Sequence, residues 1–320
     1  MQAYWLHLSF FIILLGSWLA FALANSSEAL IYLPLKSFFM PIELEAGSKL
    51  WAAAADLLAR KAFKPEFIYK LVHELSMWLI VSALVFGFIK RPQLDFKKIR
   101  NLALGLAAIA VLIIPADSSD LWGYIARGWQ QVAYDANPFS SVVADIDVWR
   151  DQAMLKNILW QHNPSPYGPL FMLLAKYLTS LSGGNLWLAM LLFKVFNYGI
   201  FVATLTLLEK LLEDHKHGLW LYTAFALNPF VIAEFLWNAH NDLIMGFGIL
   251  LSVYLASKSK FASSIFVLTL VTMVKYISLV LLPLIVLLAI KEKKWRDLVL
   301  GLVVSVALIY SLISHYHLLE

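Results

Sequence analysis

Long apolar runs separated by short polar connections set the pattern of this chain. Residues 6–25, 72–89, 102–116, 186–208, 219–237, 243–256 and 298–313 are each apolar enough for membrane depth, where a span takes about 20 residues. The run 170–181 is short for a span. The run 261–290 has 30 residues with Lys275 at its middle. It is long for one helix and short for two full ones, so it reads as two short helices turning near Lys275. Asn228-Pro229 interrupts 219–237 in the same way. Residues 26–70 form a long connection with Pro34, Pro41 and Pro65, and their Ala-rich part, 50–61, suits a surface helix. Ala22-Leu23-Ala24 resembles a cleavage site, but no Lys or Arg precedes it, so the first run reads as an uncleaved helix. The pattern predicts an all-α, polytopic transmembrane protein, a single transmembrane domain over residues 1–320, with some short or broken helices.

Composition agrees: 61% of the 320 residues are hydrophobic and 14% are charged, where soluble domains carry about a quarter. The basic excess sits in short connections, not in a patch for nucleic acid. Lys90, Arg91, Lys97, Lys98 and Arg100 place their connection in the cytoplasm. The segment 117–169 then lies outside. Two paths compete beyond it. If 170–181 crosses fully, Asn238 to Asp242 fall inside, and Lys258 and Lys260 outside. If it does not, the Asn238–Asp242 cluster and Lys275 share the outer side, and Lys258, Lys260 and Lys291 to Arg296 lie inside. The second path agrees with the positive-inside bias and is preferred. There is no Cys, which excludes disulfides and thiol chemistry.

The segment 117–169 is the long polar part of the chain, read as an outer catalytic loop. Its four Trp and three Tyr argue against disorder. Asp117 and Asp120 fall where the third run meets the surface, and either could be a general base or merely mark the interface. Tyr124, Arg127 and Asn137 follow. Arg127 could grip a phosphate bidentately. His162 could carry a proton or bond substrate, or be a surface residue with no role. Tyr167 lies in a stiff Pro- and Gly-rich return to the membrane. Asn238, His240, Asn241 and Asp242 are denser in polar groups than a helix end needs, although capping by Asn241 or Asp242 would account for part of it. Glu234 lies in the apolar segment before them. Lys275 is costly in an apolar run unless it is paired, snorkelled or used for an acidic ligand. Lys194 is a weaker case of the same kind. No Walker loop, dinucleotide fingerprint or His-Glu-x-x-His motif is present. No spacing demands a metal, so no cofactor is expected, and a divalent ion is possible but not indicated.

These residues resemble a family. Asp120-Leu-Trp-Gly-Tyr-Ile-Ala-Arg-Gly128 followed by Asn137-Pro-Phe139 resembles the first outer-loop motif of bacterial GT-C glycosyltransferases. The closest likeness is to the polyprenyl-phosphomannose-dependent mannosyltransferases. Phe139 stands where they carry Tyr. Ser165-Pro-Tyr-Gly-Pro169, then Asn228-Pro229 with Asn238-Ala-His-Asn-Asp242, then Val274-Lys275-Tyr276 before Leu282-Pro283, resemble further markers in the same order, over roughly residues 100–290.

The resemblance implies a multi-pass plasma-membrane enzyme of GT-C type with its site facing away from the cytoplasm. Such an enzyme moves a hexose, mannose favoured, from a polyprenyl-phosphate carrier to a glycan or lipid acceptor by inverting displacement. Asp120 or Asp117 would be the base. Lys275 and Arg127 would meet the phosphate charge, and His240, Asn241 and Asp242 would shape the sugar site. Trp122, Tyr124 and Tyr167 would stack on sugar rings. Its partners are donor, acceptor and membrane lipids, with no nucleic acid. A lipid-linked-sugar flippase or transporter, or a non-catalytic partner in envelope polysaccharide assembly, is the rival class.

Overall fold

The computed structural model describes residues 95–115 and 118–318. The runs 6–25 and 72–89, the connection between them and Asp117 lie outside these residues. Among the described residues there are helices and no strands. The protein is an all-α membrane protein.

Helix α1, Phe96–Val111, opens on Asp95, whose carboxylate accepts the Lys98 backbone N–H at 2.7 Å. Its buried stripe is Ile99, Ala103, Leu106, Ala107 and Ala110, at helical spacing. The small residues in that stripe let a neighbouring helix come close. That neighbour is the helix Leu186–Leu212. The apolar run was expected to continue to residue 116, but the helix ends at Val111. Asp120 therefore does not leave this helix. It is the first residue of a new one, α2, Asp120–Ala133. The expected loop 117–169 thus begins with 14 residues of helix. A short 3-10 turn, Val143–Asp145, follows.

Helix α3, Pro169–Leu181, is the short apolar run, at 13 residues. It packs on α2 so closely that a Cβ on Gly128 would lie 2.4 Å from the Ala175 carbonyl oxygen. Helix α4, Leu186–Leu212, has 27 residues and is long and apolar enough to cross a membrane. It runs antiparallel to α1. Arg100 meets Glu209 at 2.8 Å at one end, and Lys194 Nζ donates to Ala110 O at 3.1 Å and to Ile113 O at the other. Lys194 is fully buried, and its Nζ adds hydrogen bonds to carbonyls at the C-terminal end of α1.

Helices α5, Gly218–Ala226, and α6, Pro229–Ile232, are separated by the expected break. Asn228 caps α6 by accepting the Phe230 N–H at 2.9 Å, and Pro229 needs no donor there. A π-helical turn, Ala233–Trp237, extends α6. The two halves bend by 45° and together are long enough for one span.

Helices α7, Asp242–Ser257, and α8, Phe261–Thr272, form a tight hairpin. Ser252 Oγ donates to Ser264 O at 2.9 Å, and a Cβ on Gly248 would collide with the Val271 side chain at 1.9 Å. The run 261–290 does break near Lys275. After α8 come a 3-10 turn, Tyr276–Leu281, and α9, Leu282–Lys291. Ser259 in the hairpin turn bonds Glu292 at 2.6 Å, so Lys258, Lys260 and the Lys291 to Arg296 stretch share one end. Lys275 and Asp242 meet at the opposite end. The preferred path groups these residues at two ends in the same way. Helix α10, Trp295–His315, is also long and apolar enough to span. It runs parallel to α8, with Gly301 against Ala262 and Thr269 bonding Ser305 at 2.8 Å. Its C-terminus thereby reaches α2, where Tyr316 OH donates to Gln131 at 3.0 Å.

Candidate functional site

The polar clusters that stand apart in sequence converge at the end of the bundle away from Lys258 and Lys291. Asp120 opens α2, where a helix N-terminus favours a carboxylate. Its backbone N–H is held by Ser118 Oγ at 3.1 Å. The π-helical turn carries Glu234, and the chain then turns through Ala239, whose φ is 56°. His240 N–H returns to Glu234 O at 3.0 Å. Asn197 of α4 clamps this turn, donating to Phe235 O at 3.0 Å and His240 O at 3.1 Å. His240 is thereby pinned between two acids. Nδ1 lies 3.1 Å from Asp120 Oδ2, and Nε2 lies 3.1 Å from Glu234 Oε2.

The electrostatics follow from this bridge. Burial by itself would lower the basicity of His240. Its hydrogen bonds and charge interactions with Asp120 and Glu234 outweigh burial and push it up to about 9. The imidazole is therefore protonated at neutral pH. The His240 hydrogen bond in turn holds Asp120 below the ordinary carboxylate range, against the opposing effect of burial. The Tyr167 hydroxyl acts on Asp120 in the same direction. Tyr124 OH makes a long 3.4 Å contact to the same carboxylate and accepts the Asn241 N–H at 3.3 Å. Burial pushes both tyrosine hydroxyls up, so they stay neutral donors.

Asp120 lines a cavity of about 400 Å³. Gly123 and Arg127 continue along the same face of α2, and Trp160, Asn163 and Tyr167 close it from the loop. The walls are held by backbone bonds. Ser165 N–H donates to Pro138 O at 2.8 Å, and Gly168 N–H to Val274 O at 3.0 Å. A Cβ on Gly168 would lie 2.2 Å from Met273 O, so only glycine allows this approach. The return strap 165–169 therefore docks on the break before Lys275. Lys275 Nζ reaches Asp242 Oδ1 at 2.6 Å.

A family model described as alpha-(1->6)-mannopyranosyltransferase, N-terminal domain, matches residues 9–291. The chain belongs to this family. It is also similar to alpha-(1->6)-mannopyranosyltransferase A of Mycobacterium tuberculosis, with 26% identity over 182 residues. The matched part covers 55% of this chain and 34% of that relative, so the chain spans well under two thirds of its length. No solved structure matches.

Within this family member, Asp120, Tyr124, Tyr167, His240 and Asn241 come together, and Asp242 with Lys275 forms an adjacent pair. Several expectations change. Tyr124 is fully buried, edge-on to Tyr167 and Phe171 at 5.0 and 4.7 Å, so its ring has no face left for a sugar. Asn137 serves the fold: its Oδ1 accepts the Phe139 N–H at 3.0 Å, and its Nδ2 donates to Tyr316 O. His162 is exposed and is not among the cavity-lining residues. Asn241 precedes α7 but makes no side-chain cap. It is 1% exposed, with neither side-chain polar atom paired. Arg127 lines the cavity and also pins the loop, donating to Asn163 O at 2.8 Å. Glu234 as a second His240 partner and Trp160 as a cavity wall were not foreseen. Glu234 carried a signal, an acid in an apolar segment. Trp160 carried none beyond its loop.

Proposed function

We propose that this chain forms the membrane part of a mannosyltransferase. It moves mannose from a polyprenyl-phosphate carrier to a glycan or lipid acceptor, by a single displacement with inversion. The observation that carries this reading is the Asp120 carboxylate, held ionised by His240 at the edge of a sugar-sized cavity. The acceptor oxygen attacks the anomeric carbon as the bond from that carbon to the phosphate oxygen breaks. The acceptor proton passes to Asp120 and the electron pair leaves with the lipid phosphate. The attacked carbon is oxocarbenium-like between the two bonds, as in glycoside hydrolysis. Because Asp120 is a weakened base, it takes the proton late, once the attacking oxygen has become acidic. Lys275, beside Asp242, meets the phosphate charge.

The site faces away from the cytoplasm in this reading. The support is its position opposite the basic turns at Lys258 to Lys260 and Lys291 to Arg296, together with the positive-inside bias. A single transmembrane domain over residues 1–320 and a reaction without metal or other cofactor belong to the same reading.

The test is transfer by the purified protein from polyprenyl-phosphomannose to α-(1→6)-linked mannosides, beside Asp120→Asn and Asp117→Asn. Loss of transfer in Asp120→Asn with donor still bound supports the assignment. Loss confined to Asp117→Asn moves the base. Folded wild-type protein that carries lipid-linked mannose across vesicles without transferring it sinks the reading in favour of a flippase.

A further inference from the structure

The cavity beside Asp120 has features that the chemistry at the anomeric carbon does not use. Asp120, Gly123 and Arg127 line it at i, i+3 and i+7 of α2, so one helix face forms its floor. A Cβ on Gly123 would meet nothing within 4 Å, so glycine here leaves the floor open. Arg127 is 2% exposed. Its Nη2 holds the loop through Asn163 O at 2.8 Å and Trp160 O at 3.4 Å, and its Nη1 has no partner. A buried guanidinium N–H without an acceptor is costly, and such groups are normally satisfied. Trp160 lines the cavity and is 60% exposed, and its own carbonyl is tethered by Arg127, so an uncovered indole stands beside the cavity.

The surroundings of Lys275 differ. Ile277, Val280 and Leu284 are exposed beside it, an apolar surface suited to a lipid tail. Lys275 does not line the cavity. The two ends of the reaction thus have separate places of opposite character. We propose that the cavity bounded by Gly123, Arg127 and Trp160 is the acceptor subsite, and that it takes a hexose unit of a hydroxylated glycan. Trp160 covers the apolar C–H face of the ring, as an aromatic with an exposed face does. Arg127 brings its charge to the cavity floor, and the hydroxyl to be glycosylated points along α2 toward Asp120. From Arg127 to Asp120 the helix rises about 10 Å, so the two side chains stand at opposite ends of the cavity floor. The volume of about 400 Å³ lies at the small end of ligand pockets, which suits a sugar and not a polyprenyl chain. This assignment rests on the transferase reading above for the identity of the glycan as a mannoside.

The test uses α-(1→6)-mannotriose as probe, with Trp160→Ala, Trp160→Phe and Gly123→Leu. Trp160 is exposed and Gly123 faces open space, so these variants should fold, and thermal unfolding checks that they do. Mannotriose binding to wild type in the absence of donor should weaken about tenfold or more in Trp160→Ala and Gly123→Leu. It should largely survive in Trp160→Phe. In transfer assays the acceptor KM should rise by the same factor while the donor KM stays put. Mannotriose binding that neither Trp160→Ala nor Gly123→Leu changes would overturn the proposal. So would a rise in donor KM instead. Loss of mannotriose binding in the variants of a protein that transfers nothing keeps the subsite and removes the transferase reading. Transfer with an acceptor KM indifferent to both changes does the reverse.

Discussion

His240 stands between Asp120 and Glu234, with one ring nitrogen 3.1 Å from each carboxylate. Both nitrogens must carry protons for both bonds to hold, so the bridge works only as an imidazolium. His240→Gln removes the charge and at most keeps one bond. Transfer should fall about a hundredfold, with donor binding little changed, measured by steady-state kinetics against donor titration.

The bridge also makes the protein's stability depend on pH in a defined direction. His240 is raised from 6.5 to about 9 on folding. Its stabilising effect is complete below about 6.5 and is lost as pH rises through about 9. Asp120 is lowered from 3.8, so its effect is present above about 3.8 and lost as pH falls below that. Thermal unfolding of wild type should decline from pH 6.5 to beyond 9, and His240→Gln should be flat across that window. An identical decline in both would remove His240 as the cause.

Glu234 acts on Asp120 only through His240, which makes it a positioning residue. Glu234→Gln should shift the alkaline limb of the pH–rate profile down from about 9, toward the ordinary histidine value. A lower rate with an unmoved limb would mean that Glu234 serves only the fold of the π-helical turn.

Lys275 and Asp242 should separate charge from fold. Lys275→Gln removes the cation facing the leaving phosphate, and transfer should drop about a hundredfold or more, with Lys275→Arg recovering part of it. The swapped pair Lys275→Asp with Asp242→Lys should restore thermal stability but not transfer. Recovery of transfer by the swap would leave Lys275 a structural partner.

Gly168→Ala tests the seam between the strap 165–169 and the Lys275 break. The added methyl would lie 2.2 Å from Met273 O, against backbone that has little room to yield. A loss of about 1–3 kcal/mol is expected in unfolding measurements. Asp120 should also lose the restraint of Tyr167, the neighbour of Gly168, and transfer should fall with it.

Much of this was legible along the chain, because local rules act between near neighbours. Apolar runs and basic turns determined an all-α membrane protein. Asn228-Pro229 determined a break between α5 and α6, since Pro229 cannot continue the preceding helix. Lys275 in the middle of 30 apolar residues determined another, since a charge at membrane depth must find a polar place. The clusters around Asp120 and His240 were visible for the same reason.

Only the tertiary structure decided how those clusters combine. Asp120 and His240 are 120 positions apart, and their contact depends on α4, whose Asn197 clamps the turn that carries His240. The sequence offered Tyr124 as a ring for sugar and left Trp160 without a role. Packing reversed them, burying Tyr124 against Phe171 and leaving Trp160 exposed on a loop tied to Arg127. Residue type and spacing settle which groups are polar and where helices stop. Which ring is covered and which acid meets the imidazole depend on contacts between distant segments, and those exist only when the helices have packed.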